Sequence, residues 1–359
     1  MTVGVGAMLR AVARPAAVAI VVLLAACAED ETATVDGVEV VDGLAVSVVI
    51  DDLDRPTQLA MLPDGRLLLA ELAGAEDEGV GRVVAIDLGS DDRGGDDDES
   101  MEVLFEGLLK PTGVAVVDDQ VWVMEERTLS RGGLDGGELT EVLGPLPYNG
   151  RSSTTLTPTP DGRLLLGTSG SLRSGVPVED SGTVWEHEPG VGSTTISAGF
   201  KNPYGHVFDG DGVLWVTEMS DGRFDGVPAP DELVAVEPGV DHGWPTCIGD
   251  RVAVAEYGGT AAECAEGPPS HALFAPGATP TSVAVAPWDD DLLVVALWME
   301  RRLVTVPRTP GDEPHEPTEI LTGDLRPQHL LADGERLLVV DHEGGRILAL
   351  TVGEPAARS

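Results

Sequence analysis

The chain has 359 residues, and its 62 acidic residues against 22 basic ones give a formal net charge of −40. Nucleic acids and anionic lipid surfaces require clustered Lys and Arg, so this charge argues against both as partners. The length is sufficient for one large domain or for an array of repeats.

The first 27 residues have the pattern of a bacterial lipoprotein leader. Arg10 and Arg14 precede an apolar run, and small residues then lead to Cys27. The run is too short to span a bilayer comfortably, which favours a removed signal. We therefore expect a leader over 1–27, a lipid on Cys27 and an acidic tether over 28–37. An ordinary secretory signal is the alternative. On the first interpretation the protein is extracytoplasmic and contacts the membrane only through its lipid.

The cysteines allow one pairing if Cys27 carries the lipid. Cys247 and Cys264 then remain together in an oxidising compartment, where we expect them to form a disulfide. Closing this loop is worth about 3 kcal/mol on chain-entropy grounds. A cysteine metal site is less well supported, because two cysteines without nearby paired histidines supply too few ligands.

A repeated unit runs along the rest of the chain. It consists of apolar residues, often led by a proline, then an acidic turn and an apolar strand. Its six turns are Asp64-Gly65, Asp118-Asp119, Asp161-Gly162, Asp211-Gly212, Asp289-Asp290 and Asp333-Gly334. Helical periodicity is nearly absent. Six copies predict an all-β fold, a six-bladed β-propeller over 38–353 with four strands in each blade. Residues 38–50 are predicted to complete the last blade and so protect its edge.

The most specific motif lies in the second half of the chain. It runs from Gly199-Phe200-Lys201-Asn202-Pro203-Tyr204-Gly205 through Asp231-Glu232-Leu233 to Gly239-Val240-Asp241-His242-Gly243-Trp244-Pro245-Thr246-Cys247. This order and spacing resembles the glucose/sorbosone dehydrogenase family of soluble sugar dehydrogenases that depend on the quinone PQQ. The resemblance covers essentially the whole mature chain. It implies a six-bladed propeller with the quinone over the wide end of the central channel, on a calcium ion.

The resemblance implies cofactor contacts for three residues. Lys201 and Asn202 stand where the family has Arg-Asn facing the cofactor. Lysine keeps the charge of that arginine but loses its bidentate fork. Arg326 matches an arginine that pairs with the quinone carboxylates. The alternative for Lys201 is a solvated side chain at the entrance of a blade.

For calcium, the resemblance implies the carboxylate of Glu232 and the backbone oxygen of His242 as ligands. Calcium prefers hard oxygen ligands, and one carboxylate with a carbonyl and waters can suffice in an extracellular module. The alternative for Glu232 is a strand-end carboxylate that is exposed to water.

The family's catalytic histidine is not matched, so the catalytic residues are unassigned. Its position, before the Pro-Asp-Gly turn of the third blade, is occupied by Arg151, and an arginine side chain cannot act as a base near neutral pH. Ser169-Gly170 replaces the acidic partner. We therefore expect weak PQQ binding and slow aldose oxidation, which Arg151→His with Gly170→Asp should improve. A histidine from another blade, His206 or His329, is the alternative base.

The sequence thus supports a cell-surface lipoprotein that resembles PQQ- and calcium-dependent aldose dehydrogenases. The alternative is a non-catalytic propeller lipoprotein that binds a sugar, another small molecule or a protein through its loops. A lactonase-like metal-dependent propeller is less well supported, because no convergent set of carboxylates is visible. A serine hydrolase would need a G-x-S-x-G elbow, which the sequence lacks.

Overall fold

The computed structural model describes residues 35–89, 100–151, 154–220, 222–311 and 313–353. The predicted leader, Cys27 and most of the predicted tether lie outside these residues. No helix within them is long and apolar enough to cross a membrane.

Six antiparallel sheets form the blades of a β-propeller, as the repeats predict. The first blade contains Pro56–Met61, Leu67–Glu71, Gly81–Asp87 and Ser100–Leu108. The second contains Gly113–Val117, Gln120–Met124, Leu129–Gly133 and Gly136–Leu143. The third contains Thr157–Pro158, Leu164–Gly167, Thr183–Glu188 and Gly192–Ala198.

The other three blades follow in chain order. The fourth contains Pro203–Phe208, Leu214–Glu218, Asp231–Val236 and Ala272–Phe274. The fifth contains Pro280–Ala286, Asp289–Leu297, Arg302–Pro307, Thr318–Gly323 and, from the start of the chain, Val38–Val40. The sixth contains Pro327–Asp333, Arg336–Asp341, Arg346–Val352 and, again from the start, Leu44–Ile50.

Residues 38–50 form two strands rather than the single strand that the sequence predicts. Leu44–Ile50 pairs with Arg346–Val352 and completes the sixth blade, which confirms that the start of the chain closes the ring. Val38–Val40 instead pairs with Thr318–Gly323 in the fifth blade. The chain turns between them at Gly43, whose φ of 93° favours glycine.

Short elements lie in the connections between strands of the third and fourth blades. They are the hairpins Leu172–Arg173 with Val176–Pro177, Arg223–Phe224 with Val227–Pro228, and Cys247–Ile248 with Val252–Ala253, the 3-10 turn Ala255–Tyr257 and the helix Ala261–Ala265. The last three elements belong to the insertion that the Cys247–Cys264 disulfide closes.

Apolar side chains from both faces of a blade are buried, because each blade lies between two neighbours. The second strand of the first blade is an example. Leu67 and Leu69 pack against the sixth blade, whereas Leu68 and Ala70 pack against the second. A continuous apolar run, rather than strict alternation, is therefore the pattern of these strands.

In four blades a carboxylate at the end of the second strand accepts a backbone N–H from the segment that leads into the first strand. The pairs are Glu71 with Asp54 at 2.8 Å, Glu125 with Leu109 at 2.7 Å, Glu218 with Lys201 at 2.5 Å, and Asp341 with Arg326 at 2.8 Å. Glu71 and Asp341 are fully buried and also pair with Arg82 and Arg346. These contacts fix the segments that form one end of the central channel, which we call the mouth.

The first strand of each blade lines the channel, and two histidines lie on these strands away from the mouth. His206 and His329 line a cavity of about 460 Å³ at the opposite end of the channel. Burial lowers the pKa of each ring to about 3, from an ordinary value of 6.5. Both rings are therefore neutral in the folded protein near neutral pH.

The difference between the pKa of these rings in the folded chain and in the unfolded chain predicts a loss of stability in acid. Below about pH 6.5 the two histidines bind protons in the unfolded chain but not in the folded chain, so their contribution to stability should fall as the pH drops from about 6.5 towards 3. We expect His206→Gln to reduce that fall by up to about 1 kcal/mol per pH unit, and His329→Gln to reduce it further when added. Urea unfolding at several pH values measures the slope. Equal slopes in the wild type and both variants would contradict the prediction.

Candidate functional site

A cavity of about 180 Å³ opens at the mouth, and residues from most of the blades line it. Its chemically active side chains are Glu76, Lys110, Arg151, Tyr204, Trp298 and His342. The residues that follow the prolines at the starts of the first strands, such as Tyr204 and Gln328, form part of its wall. The repeat of the sequence therefore brings equivalent positions of different blades together around one cavity.

Lys110 is a buried cation at this cavity. Its ammonium donates to the carbonyl of Arg151 at 3.0 Å and forms an ion pair with Glu76. Burial lowers the pKa of Lys110, but the hydrogen bond and charge of Glu76 outweigh burial, and the net pKa is raised. Lys110 therefore keeps its positive charge near neutral pH.

Arg151 also lines the cavity, which agrees with the place that the resemblance gives it. The neighbouring change that the sequence analysis suggests does not fit. A Cβ atom on Gly170 would lie 2.6 Å from the carbonyl oxygen of Phe200 and 3.0 Å from that of Lys201. The expected benefit of Gly170→Asp is therefore wrong on steric grounds, because backbone atoms cannot yield to the added side chain.

Tyr204 and Trp298 supply the aromatic part of the wall. The side-chain amide of Gln328 donates to the hydroxyl of Tyr204 at 2.8 Å, and burial raises the pKa of that hydroxyl. The guanidinium of Arg326 lies 4.7 Å from the ring of Trp298. The indole N–H of Trp298 is buried and makes no hydrogen bond to any described residue. It is thus a donor suited to a ligand that carries acceptor oxygens.

His342 lies on the sixth blade, directly after the strand that ends at Asp341. Its Nδ1 is 3.0 Å from the carbonyl oxygen of Pro56. A carbonyl only accepts, so Nδ1 carries the proton and Nε2 is the unprotonated nitrogen. Burial lowers the pKa of His342, so the ring is neutral near pH 7.

The three predicted cofactor residues lie beside the cavity and do not line it. The ammonium of Lys201 donates to the carbonyl of Gly170 at 3.1 Å and lies over Trp244 at 5.4 Å. Asn202 is buried, and its amide donates to the carbonyl of Met219 at 2.6 Å. Arg326 reaches the wall through its contacts with Trp298 and through its carbonyl, which accepts from the backbone N–H of His342. Their contact with a cofactor stays a prediction.

The two predicted calcium ligands are brought together in a small internal cavity beside the fourth blade. Glu232 and His242 both line it, and Glu218, directly opposite Glu232 on the neighbouring strand, joins them. Glu232 is only 8% exposed, so the alternative of a water-exposed carboxylate is wrong. Its oxygens accept hydrogen bonds from the backbone of Gly249 and the hydroxyl of Ser270.

Burial dominates the electrostatics of this internal cavity. It raises the pKa of Glu232 to about 7 and that of Glu218 to about 8. Two buried carboxylates that face each other favour a cation between them. The described residues contain no group of three His, Cys, Asp or Glu side chains suited to a metal, so backbone oxygens would have to complete a calcium shell.

The predicted disulfide is present and closes the loop beside this internal cavity. Cys247 and Cys264 are bonded, with Cα atoms 5.6 Å apart. Cys247 itself lines the internal cavity, so the bridge holds one wall of the proposed calcium site.

Sequence reasoning missed most of the mouth, although its signal was in the repeat. The residue before the leading proline of a copy is Arg55, Lys110, Asn202, Thr279 or Arg326. Lys110 and Thr279 line the cavity, and both adopt left-handed backbone with φ of 51° and 60°. His342 had no such signal, because it follows a strand of the last blade.

Comparisons with known proteins agree with this architecture. The family model of glucose/sorbosone dehydrogenase matches residues 169–349, half of the chain. No curated protein sequence matches the chain.

Three solved structures illustrate the fold. A Trichoderma reesei enzyme of carbohydrate-active family AA12 is 16% identical with a TM-score of 0.73, and the alignment covers 88% of this chain and 98% of that one. The PQQ domain of Coprinopsis cinerea pyranose dehydrogenase, in its holo form, is 15% identical with a TM-score of 0.69, covering 88% and 97%. The PQQ-bound aldose sugar dehydrogenase of Streptomyces coelicolor is 22% identical with a TM-score of 0.66, covering 88% and 100%. At these identities the likeness concerns the fold, whereas the family match concerns the sequence. The chain belongs to the glucose/sorbosone dehydrogenase family.

Proposed function

We propose that this protein is a calcium-dependent sugar dehydrogenase that holds PQQ at the mouth of its propeller. The observation that carries the proposal is the composition of the mouth cavity. Two cations, Lys110 and Arg151, line the same cavity as the aromatic rings of Trp298 and Tyr204. Family membership supports the same class of reaction.

The residues of the mouth fit the chemistry of PQQ, a flat quinone that carries three carboxylates. Lys110 and Arg151 offer charge-assisted hydrogen bonds to carboxylates. Trp298 offers a ring face and an indole N–H that has no other partner among the described residues. When bound, the quinone would supply the two-electron oxidising chemistry of the reaction.

In this proposal the other residues of the mouth orient and enclose the ligand. Glu76 neutralises Lys110 in the free protein, and a carboxylate of the ligand would compete for the same ammonium. The hydrogen bond between Gln328 and Tyr204 holds a rigid wall at the base of the cavity. A rigid wall reduces the entropy that binding must otherwise cost.

The proposal includes calcium at the internal cavity and a lipid anchor outside the cytoplasm. Glu232 would bind the ion together with the backbone oxygen of His242, and Glu218 would add a second carboxylate. The lipid anchor follows from Cys27 and its preceding apolar run.

A second candidate function is a non-catalytic binding protein. Arg151 and Ser169-Gly170, in place of the family's histidine and acidic partner, favour it. Such a protein would bind a sugar or an anionic small molecule at the mouth without oxidising it.

PQQ affinity shows whether Lys110 or Lys201, the other lysine of the chain, contacts the cofactor. We expect Lys110→Met to weaken PQQ binding by about tenfold or more, because it removes a charge-assisted hydrogen bond. Lys201→Met tests the contact that the sequence predicts. The ammonium of Lys201 donates to Gly170 and Lys201 does not line the mouth cavity, so on our proposal this variant should change the affinity little. Titration of the protein with PQQ, followed by tryptophan fluorescence, gives both dissociation constants. A larger loss in Lys201→Met would move the cofactor away from the proposed cavity.

Calcium binding is tested by stability. Saturating calcium should stabilise the wild type by mass action and so raise its Tm. At a calcium concentration of 100 times Kd, the free energy of unfolding should rise by about 3 kcal/mol. Glu232→Gln should lose most of that response, whereas Glu237→Gln, an exposed residue directly after the same strand, should keep it. Thermal melts in calcium and in chelator measure the shift. Identical wild-type melts in both conditions would exclude the calcium site.

A further inference from the structure

His342 is the histidine of the mouth cavity, and the family's expected base does not account for it. Its backbone is fixed on both sides. The N–H of His342 donates to the carbonyl of Arg326 at 2.9 Å, while the preceding Asp341 accepts from the N–H of Arg326 at 2.8 Å. The ring therefore projects from a segment that one backbone–backbone hydrogen bond and one bond to the carboxylate of Asp341 hold in place.

Contacts with the first and fifth blades, on either side of the sixth, orient the ring of His342. Nδ1 donates to the carbonyl of Pro56, on the first blade, and the ring lies edge-on to Trp298, on the fifth, at 6.3 Å between centroids. These contacts use Nδ1 and the ring edges. Nε2 makes no hydrogen bond to any described residue, which leaves it as the nitrogen available to the cavity that the ring lines.

We propose that His342 is the general base of sugar oxidation in this protein and replaces the histidine that Arg151 displaces. This inference rests on the proposed function. The hydroxyl proton of the sugar passes to Nε2. The quinone, when bound, would supply the oxidant that accepts the hydrogen of the same carbon with its electron pair. The C–O single bond thereby becomes a carbonyl, so two electrons and two hydrogens are accounted for. The geometry matches a general base whose other nitrogen is fixed by a hydrogen bond.

Burial keeps the ring neutral, and the groups around it leave it able to accept a proton. Burial lowers its pKa, the carbonyl of Pro56 and the carboxylates of Glu76 and Glu343 act in the opposite direction, and Arg55 lowers it. Across the cavity lie Lys110 and Arg151, which are cations, and the hydroxyl of Tyr204. The rate should therefore fall as acid protonates Nε2.

This assignment changes one expectation from the sequence. Slow aldose oxidation was expected because the third blade lacks a base. With His342 as base, that reason no longer applies, and the wild type should turn over once it is loaded with PQQ and calcium. The other two histidines considered as bases, His206 and His329, line the opposite end of the channel.

The test compares His342→Gln with His315→Gln in the full chain, loaded with PQQ and calcium. Gln keeps a polar side chain but cannot accept the proton, and His315 is a partly exposed histidine of the fifth blade. PQQ affinity, kcat and KM for a panel of aldoses, and the pH profile of kcat/KM are measured by dye reduction. We expect His342→Gln to lower kcat by about 10²- to 10⁴-fold, with PQQ affinity and KM little changed. Its residual rate should lose the acid limb of the wild-type profile, and His315→Gln should behave as the wild type.

A second measurement needs neither cofactor nor turnover. Nitrogen-15 NMR of the histidine rings in the free protein should show one ring, absent from His342→Gln, that carries its proton on Nδ1 and titrates on Nε2. A His342 ring, assigned through its own backbone resonances, that is protonated on Nε2 instead would overturn the assignment, even if the Gln variant failed to fold.

The outcomes separate this inference from the proposed function. PQQ binding and aldose oxidation that survive His342→Gln unchanged would overturn His342 as base and leave the proposed function intact. A wild type that binds PQQ but oxidises no sugar would overturn the base and favour the non-catalytic alternative. A wild type that does not bind PQQ at all would overturn the proposed function, and this inference with it.

Discussion

The mouth of this propeller depends on a carboxylate at the end of a second strand that binds the backbone of the segment before the first strand. Asp341 shows the consequence most clearly. It is fully buried, accepts from the N–H of Arg326 and pairs with Arg346. A buried charge is stable only with such partners. The residues on either side of this contact, Arg326 and His342, are therefore held at fixed positions, and the same contact through Glu125 holds the segment before Lys110.

Glu218 connects the mouth to the internal cavity. It accepts from the backbone N–H groups of Lys201 and Asn202, and it faces Glu232 across the fourth blade. A cation bound between the two carboxylates would lower the energy of ionised Glu218, the form that accepts both hydrogen bonds best. Within our proposal, calcium therefore supports the cofactor site by ordering a segment of the mouth as well as by its own charge.

The sequence was sufficient for the fold because the fold is local and repeated. Five of the six predicted acidic turns lie at the junction of adjacent strands of one blade, so the repeat predicted six blades. In the fifth blade the turn is at residues 287–288, and Asp289-Asp290 begin the second strand. The disulfide was also predictable, because the expectation of a lipid on Cys27 leaves one pair of cysteines. The start of the chain was predicted in part. One strand closes the sixth blade as expected, whereas Val38–Val40 extends the fifth, and nothing local distinguishes the two partners.

The site was less predictable because its residues meet only when the ring closes. Pro56 and His342 are far apart in sequence and come into contact across the joint between the first and sixth blades. In the sequence, Lys110 is one of several residues that precede a proline of the repeat, and nothing else indicates a role for it. Lys201 lies within the family motif and was therefore predicted as a cofactor contact. Local motifs therefore identified the family and the internal cavity, where Glu232 and His242 lie close in sequence. They did not identify which cation and which histidine line the mouth.

The central claim is that the mouth cavity is the quinone site, and a crystal structure of the calcium-loaded protein with PQQ tests it most directly. Our account predicts one quinone at the mouth, with carboxylates on Lys110 and Arg151, the ring beside Trp298 and Nε2 of His342 facing the sugar position. Density for PQQ elsewhere on the protein, or an empty mouth at saturating PQQ, would contradict the account.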